Sequence, residues 1–354
     1  MKKSKKIILI IVIILAAAIL VFAAGAYNMF KTQIRAMNTI EKLDDRFYSM
    51  EYDGDYGFDE YLKRGGGASD AEMAAYISEF LSHGFYKPEI PENSFGCSTV
   101  AAKLPESGDL IFGRNFDWQK CTAMVVKTRP ADGYASISTA NLDFLGFGED
   151  YLPEGAKNKM MALAAVYVPL DGMNEKGLCI ADLSIDDGCE THQDTEKPDI
   201  TTTAAIRLIL DKCQSVDEAI DTLSQYDMNS SAGLQHHLAI SDASGKSVVV
   251  EYIDNEMSVI ETKIVTNFYL TPGEHYGIGS EQSKDRFEKL SQSLSKSETK
   301  TPDEVKSLLE SVAKHNYPDD TETTEWSVIF NTKEKTAQYY RSENYDKNYT
   351  FSIE

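Results

Sequence analysis

Apolar and polar residues change rhythm along this chain, and each change predicts a different kind of structure. Residues 7–26 carry no charge and follow four lysines among the first six positions. A run of that length can cross a bilayer as a helix, which takes about 20 residues. Residues 27–67 are polar and acidic and end on Arg64 and Gly65-Gly66-Gly67, which reads as a flexible joint. Ser69 and Glu72 have capping-box spacing. Met73, Ile77, Phe80 and Leu81 follow at helical spacing, and Gly84 is placed to stop that helix. Pro88 and Pro91 predict an extended stretch up to Gly96.

From residue 97 onward alternation dominates. Strands predicted at 98–104 and 110–116 flank Pro105-Glu106-Ser107-Gly108-Asp109, a hairpin turn. Further strands are expected at 123–128, 135–139, 161–168 and 178–184. A helix over 202–213 places Ala205, Ile206, Ile209 and Leu210 on one face, and Ser215 with Glu218 boxes the start of a second. Strands return at 237–241, 247–253 and 258–265. Helices follow at 282–294 and 302–314, the latter capped by Thr301 with Pro302 at its first position. Strands at 326–330, 336–340 and 349–353 close the chain. Blocks of strands alternating with helices predict an α+β fold with two sheets and helices packed outside them.

Charge narrows the partners. A net charge of −21 would repel phosphate backbones, so nucleic acid is not an expected partner. Four terminal lysines ahead of an apolar run orient the chain with its start in the cytoplasm and everything after Tyr27 exported. Ala24-Gly25-Ala26 offers a signal-type cleavage site, but the long apolar run favours a retained membrane anchor. The expected organisation is an anchor or signal over 1–26, an extracytoplasmic stalk or propeptide over 27–96, and a catalytic domain over 97–354. Of the five cysteines, an odd count leaves at least one thiol free. Cys179 and Cys189 are spaced to pair across a turn, yet no framework or metal knuckle is evident. Asp53-Gly54-Asp55 lacks the remaining ligands of a calcium loop and reads as a solvated acidic turn.

Cys97 opens the first strand, one hairpin away from Arg114 and Asp117. A cysteine attacks as its thiolate, and a free thiol with pKa about 8.5 needs a base or a positive neighbour. The histidines offer no partner by position; His236 and His237 would point to opposite faces of a strand. Cutting the 96–97 bond would supply a base on the same residue, an α-amine with pKa about 7.7–8.0.

Cys97-Ser98-Thr99, the return Gly113-Arg114-Asn115-Phe116-Asp117-Trp118, and Asp171-Gly172-Met173-Asn174-Glu175-Lys176-Gly177-Leu178 resemble the choloylglycine hydrolase family. Val265-Thr266-Asn267 and Ser283-Lys284-Asp285-Arg286-Phe287 match its later motifs in order. That family groups bile salt hydrolases and penicillin V acylases, amidases with an N-terminal nucleophile. The resemblance implies a four-layer αββα sandwich, two antiparallel sheets between helices, and no metal or organic cofactor. It implies Cys97 as nucleophile and amine base, Arg114 favouring thiolate, and Asp117 orienting the amine. Asn174 would donate to the oxyanion, Asn267 would orient the amine or a substrate carbonyl, and Arg286 would brace Cys97 and Asp117. The implied substrate is a small linear N-acyl amide, such as a conjugated bile acid, an N-acyl amino acid or a fatty amide. The implied assembly is a homo-oligomer.

Singly, each residue has an ordinary structural reading: a buried strand cysteine, a surface ion pair, an Asn-Gly turn. Five motifs in order favour the enzyme. Two other readings stay open at this point, a membrane-tethered binding protein that keeps the fold without catalysis and an acyltransferase. Met124, Phe144, Leu145 and Phe147 are candidates for an acyl pocket or for core. The leader before Cys97 departs from the bile salt hydrolases, which expose their cysteine close to the initiator methionine.

Overall fold

A computed structural model describes residues 27–82, 96–317 and 322–353 together with parts of 13–25. The expected membrane segment 7–26 and the extended stretch 88–95 lie largely or wholly outside the described residues. Among the described residues no helix is long and apolar enough to cross a membrane.

The amino-terminal segment carries more structure than the single helix read from its sequence. Helix α1 (Lys31–Thr39) leads into strands β1 (Glu41–Asp44) and β2 (Phe47–Asp53), then α2 (Phe58–Lys63) and α3 (Asp70–Ser82). Strand β2 alternates cleanly. Tyr48, Met50 and Tyr52 enter one core and Phe47 another, while Glu51 and Asp53 are exposed. The three glycines are not a free joint. Gly66 has φ of +70°, and a Cβ there would meet the Asp199 carbonyl at 2.2 Å. Glycine is required for that close backbone approach, which Gly67 N–H completes by donating to Asp199 O at 3.2 Å.

The hairpin of β3 (Gly96–Lys103) and β4 (Leu110–Trp118) forms as its sequence predicts, followed by β5 (Ala123–Arg129) and β6 (Ser136–Asn141). Residues 161–168 are not a strand. Helix α4 (Gly155–Ala162) runs into a 3-10 turn (Leu163–Tyr167) whose residues are all buried. An apolar run buried on every side carries no period by which helix and strand can be told apart. Strands β7 (Asp171–Asn174), β8 (Cys179–Ile185) and β9 (Asp199–Thr201) precede helices α5 (Thr202–Lys212) and α6 (Val216–Leu223). Then come β10 (Asp227–Asn229), β11 (Gln235–Ser241), β12 (Ser247–Ile253), β13 (Glu256–Glu261) and β14 (Ile264–Thr266). Helices α7 (Glu281–Lys296) and α8 (Pro302–Ser311), with strands β15 (Thr323–Asn331), β16 (Thr336–Arg341) and β17 (Asn348–Ser352), complete the chain.

Among the described residues the strands form a nine-stranded sheet, β1-β2-β5-β6-β7-β8-β11-β12-β13, and a six-stranded sheet, β14-β3-β4-β15-β16-β17. The short β9 and β10 pair separately. Pairing in both large sheets is antiparallel except between β2 and β5, where Phe47 lies opposite Ala123 and Asp53 opposite Arg129 in a parallel ladder. Three apolar clusters define the layers. One lies between the larger sheet and its helices, one between the two sheets, and one between the smaller sheet and α7 with α8. This is the four-layer αββα sandwich. Side-chain alternation on β3 and β4 sends Cys97, Phe112 and Phe116 into the space between the sheets and Val100, Ala102 and Ile111 toward α7 and α8.

Candidate active site

Strands β3 and β4 pair Cys97 with Phe116 and Gly96 with Asp117. That register puts the Cys97 sulfur on the inter-sheet face beside Arg114, while Asp117 points back toward α7. The site is therefore split across β3, with its sulfur on one side and its backbone polar groups engaged on the other.

On the inter-sheet side, Arg114 Nη2 donates to Cys97 Sγ at 3.3 Å and to the Asp182 main-chain carbonyl at 2.7 Å. Its Nη1 lies 3.0 Å from Asp171 Oδ2, an ion pair in which both side chains are wholly buried. The guanidinium stacks over Phe116 and Trp326, and the Trp326 indole donates to Asp171 Oδ2 at 2.8 Å. Burial pushes the Cys97 thiol up to about 12, against the opposing pull of Arg114. Burial also pushes the Asp171 carboxyl above its usual range, although Arg114 pulls it down.

On the helical side, Asn267 follows β14, whose Thr266 is opposite Ser98. The Cys97 backbone N–H donates to Asn267 Oδ1 at 2.7 Å. Arg286, on α7, ties the group together. Its Nη1 donates to the Cys97 carbonyl and to Asp117 Oδ2, both at 2.8 Å, and its Nη2 to Asn267 Oδ1 at 2.9 Å. Asp117 Oδ1 accepts from Thr324 Oγ1 at 2.7 Å. Burial raises the Asp117 pKa, while Arg286 and Lys314 oppose the rise.

Five of the six residues named from sequence thus converge: Cys97, Arg114, Asp117, Asn267 and Arg286. Asn267 holds the Cys97 nitrogen, one of the two roles expected of it. One detail differs from expectation: Asp117 does not touch that nitrogen and reaches it only through Arg286 and Asn267. Asn174 stands apart. Its Oδ1 accepts from the N–H groups of Lys176 and Leu178, and its Nδ2 donates to the carbonyls of Leu210 and Cys213. The side chain closes the β7–β8 turn and ties it to the end of α5, so its amide has no hydrogen left for an oxyanion.

Gly96 is also less free than its type suggests. It is a strand residue, and a Cβ built on it would stand 2.8 Å from Glu322 Oε2, 3.2 Å from Asp117 Cβ and 3.3 Å from Lys314 Cε. Lys314 and Glu322 pair at 2.7 Å against it. Asp171, Asp182 and Thr324 complete the site and were not singled out from sequence. Only Asp171 sat inside a motif. All five cysteines are free, so Cys179 and Cys189 do not pair. Among the described residues no group of three or more His, Cys, Asp or Glu side chains is arranged to hold a metal.

Comparisons with known proteins bear on the family and the fold. A family described as "Linear amide C-N hydrolases, choloylglycine hydrolase family" matches residues 97–269. A penicillin V acylase from Pectobacterium atrosepticum is 32% identical over 110 residues, a stretch covering 27% of this chain and 29% of the acylase. The match thus spans less than a third of that relative. Among solved structures, a variant of conjugated bile acid hydrolase from Clostridium perfringens aligns over 73% of this chain and 92% of its own, with TM-score 0.54 and 17% identity. A second mutant of that hydrolase aligns over 72% and 92%, with TM-score 0.50 and 18% identity. At such identities these two show the fold alone.

Proposed function

Through residues 97–269 the chain belongs to the choloylglycine hydrolase family of linear amide C–N hydrolases, and on that premise we propose that it is a cysteine amidohydrolase acting on small N-acyl amides. Cys97 is the nucleophile once the 96–97 bond is broken. The observation that carries the reading is the double hold on Cys97. Arg114 sits on its sulfur, and Asn267 and Arg286 grip its nitrogen and carbonyl. An ordinary buried strand cysteine requires none of these.

In the uncut chain the nitrogen is an amide and cannot serve as a base. The thiol is then buried and held largely protonated, with little thiolate at neutral pH. Cleavage converts that nitrogen into an amine held by Asn267 Oδ1. The amine takes the thiol proton, the sulfur attacks the acyl carbon, and the proton passes to the departing nitrogen. The resulting acyl-thioester is attacked by water, which gives a proton back to the amine and releases the carboxylic acid. Arg114 stabilises the thiolate electrostatically, and the buried Asp171 keeps the guanidinium aimed.

The proposal extends to location: lysines before the charge-free run 7–26 support a chain exported and held at a membrane. The acyl class remains within conjugated bile acids, N-acyl amino acids and fatty amides. Turnover of a panel of these by the cleaved protein tests the reading. Release of acid and amine that disappears in Cys97→Ala is the expected result. Persistent turnover in that variant overturns it.

A further inference from the structure

Asn267 grips the Cys97 nitrogen, yet the strand that carries it stops one residue short. The β14 ladder ends where Thr266 faces Ser98, so Asn267 lies just past it. Its side chain nevertheless makes three hydrogen bonds: Oδ1 accepts from the Cys97 N–H and from Arg286 Nη2, and Nδ2 donates to the Ser184 carbonyl at 2.6 Å. A group beyond β14 must therefore fix the backbone on its far side.

Glu251 does this from the other sheet. It lies on β12 opposite His237 of β11, and its side chain is fully buried. Its Oε1 accepts from the Leu270 N–H at 2.8 Å and lies 3.2 Å from His237 Nδ1. Its Oε2 accepts from the Thr271 N–H at 2.8 Å and from Thr271 Oγ1 at 2.5 Å. Four groups on one side chain call for a carboxylate, because a neutral amide offers a single acceptor oxygen. Burial alone would raise the Glu251 pKa, but His237, Thr271 and the Leu270 N–H hold it below its ordinary value. Only two residues separate Asn267 from Leu270, and both are held. Phe268 packs edge-on against Phe287 of α7 with ring centres 5.2 Å apart, and Tyr269 Oη donates to Asp187 Oδ2 at 2.7 Å. The chain between the carboxylate and Asn267 thus has little slack.

Resting on the amidohydrolase reading above, we propose that Glu251 is a positioning residue for the reaction: it pins residues 270–271 to the nine-stranded sheet and so keeps Asn267 Oδ1 on the Cys97 nitrogen. An amine that takes a proton and returns it must stay within hydrogen-bond reach throughout, and a displacement of about 1 Å can cost ~10²-fold in rate. Residues 268–280 also lead to α7, which Ser280 caps and which carries Arg286. Arg286 has a second hold of its own in Asp117, so Asn267 is the group that depends on the pin.

Glu251→Gln keeps the volume but sets an amide N–H₂ against donors, so the pin is lost. In the cleaved protein it should lower kcat for a linear amide by ~10- to 10²-fold with KM unchanged. Made on top of Asn267→Ala, the same substitution should lower kcat by no more than about twofold, because the group it positions is gone. An equal fall in both backgrounds, or no fall in the wild type, overturns the proposal. Hydrogen exchange gives a readout that needs no turnover. In the uncut chain Glu251→Gln should speed exchange of the Cys97 amide at least ~10-fold, a local opening. The Ala101 amide, which donates to the Lys263 carbonyl further along the same strand, should keep its rate. Equal acceleration of both amides, or of neither, overturns the positioning role. Thr271→Val removes one donor and leaves the carboxylate in place, so it serves where Glu251→Gln does not fold. It should move both readouts the same way by a smaller factor, and no change in either overturns the proposal. If no amide is hydrolysed, the amidohydrolase reading fails on its own terms, and the exchange rates still decide whether Glu251 keeps Asn267 on the nitrogen.

Discussion

Cutting the 96–97 bond should leave two pieces that behave as one body, because β2 lies in the amino-terminal piece while its partner β5 and the facing sheet lie in the other. Phe47 measures how firmly they are joined. It is fully buried between the sheets, with its ring 5.2 Å from Tyr349 and 6.2 Å from Tyr339. Removing a phenyl ring from such a position costs about 3–5 kcal/mol, since the surrounding strands relax only partly. At about 1.4 kcal/mol per decade, Phe47→Ala should weaken association of the pieces by roughly two to three and a half decades. Further ties would survive the substitution, including Arg46 to Asp143 at 2.7 Å and Tyr56 to Asp211 at 2.6 Å. The assay is size-exclusion chromatography with mass detection on cleaved protein, followed by dilution to read the dissociation constant. Wild-type pieces should co-elute at nanomolar concentration, and the variant should separate at far higher concentration. Separation of the wild-type pieces without denaturant would refute the reasoning, as would a variant that holds together as tightly as the wild type.

Three further outcomes follow from the site. Asn174→Ala should lower stability by about 1–3 kcal/mol, the cost of orphaning buried partners, and leave kcat nearly unchanged; an oxyanion donor would instead lose about 10²–10³ in kcat. In the uncut chain, alkylation of Cys97 should climb tenfold per pH unit from pH 7 to 10, because its thiol is pushed up to about 12. A plateau near the ordinary thiol pKa of about 8.5 would contradict this. His236 has a raised folded pKa, so its stabilisation is full below the unfolded value of about 6.5 and is lost as pH rises through the folded value. The Tm difference between wild type and His236→Gln should accordingly shrink from pH 5.5 toward 9, and a difference that grows with pH would contradict the charged pairing.

Much of this architecture is legible in the residues. The β3–β4 hairpin, α5 to α8 and the last three strands carry alternation, capping residues and turn chemistry that all point the same way. Strand β2 was hidden because acidic residues stud its exposed face and its ends, so 27–67 reads as solvated chain. Its apolar face becomes meaningful only when β5 is set beside it. The site divides similarly. Arg114 and Asp117 are legible because one hairpin return brings them to Cys97. Asn267 and Arg286 needed the resemblance, since nothing local predicts that β14 and α7 meet β3. Asn174 misled because the Asn-Glu-Lys-Gly turn uses only its Oδ1 locally, while its Nδ2 is taken by the distant carbonyls of Leu210 and Cys213, which a motif cannot show. Asp182 carried no signal at all; its carboxylate is met by a histidine from β11 that no local pattern places beside it.

The central claim is that Cys97 works only with its own amine free, and intact-mass analysis with amino-terminal sequencing of the purified protein reads this directly. A fragment that begins at Cys97 is expected, with amide hydrolysis confined to the protein that contains it. Hydrolysis by a chain still joined at the 96–97 bond would contradict it.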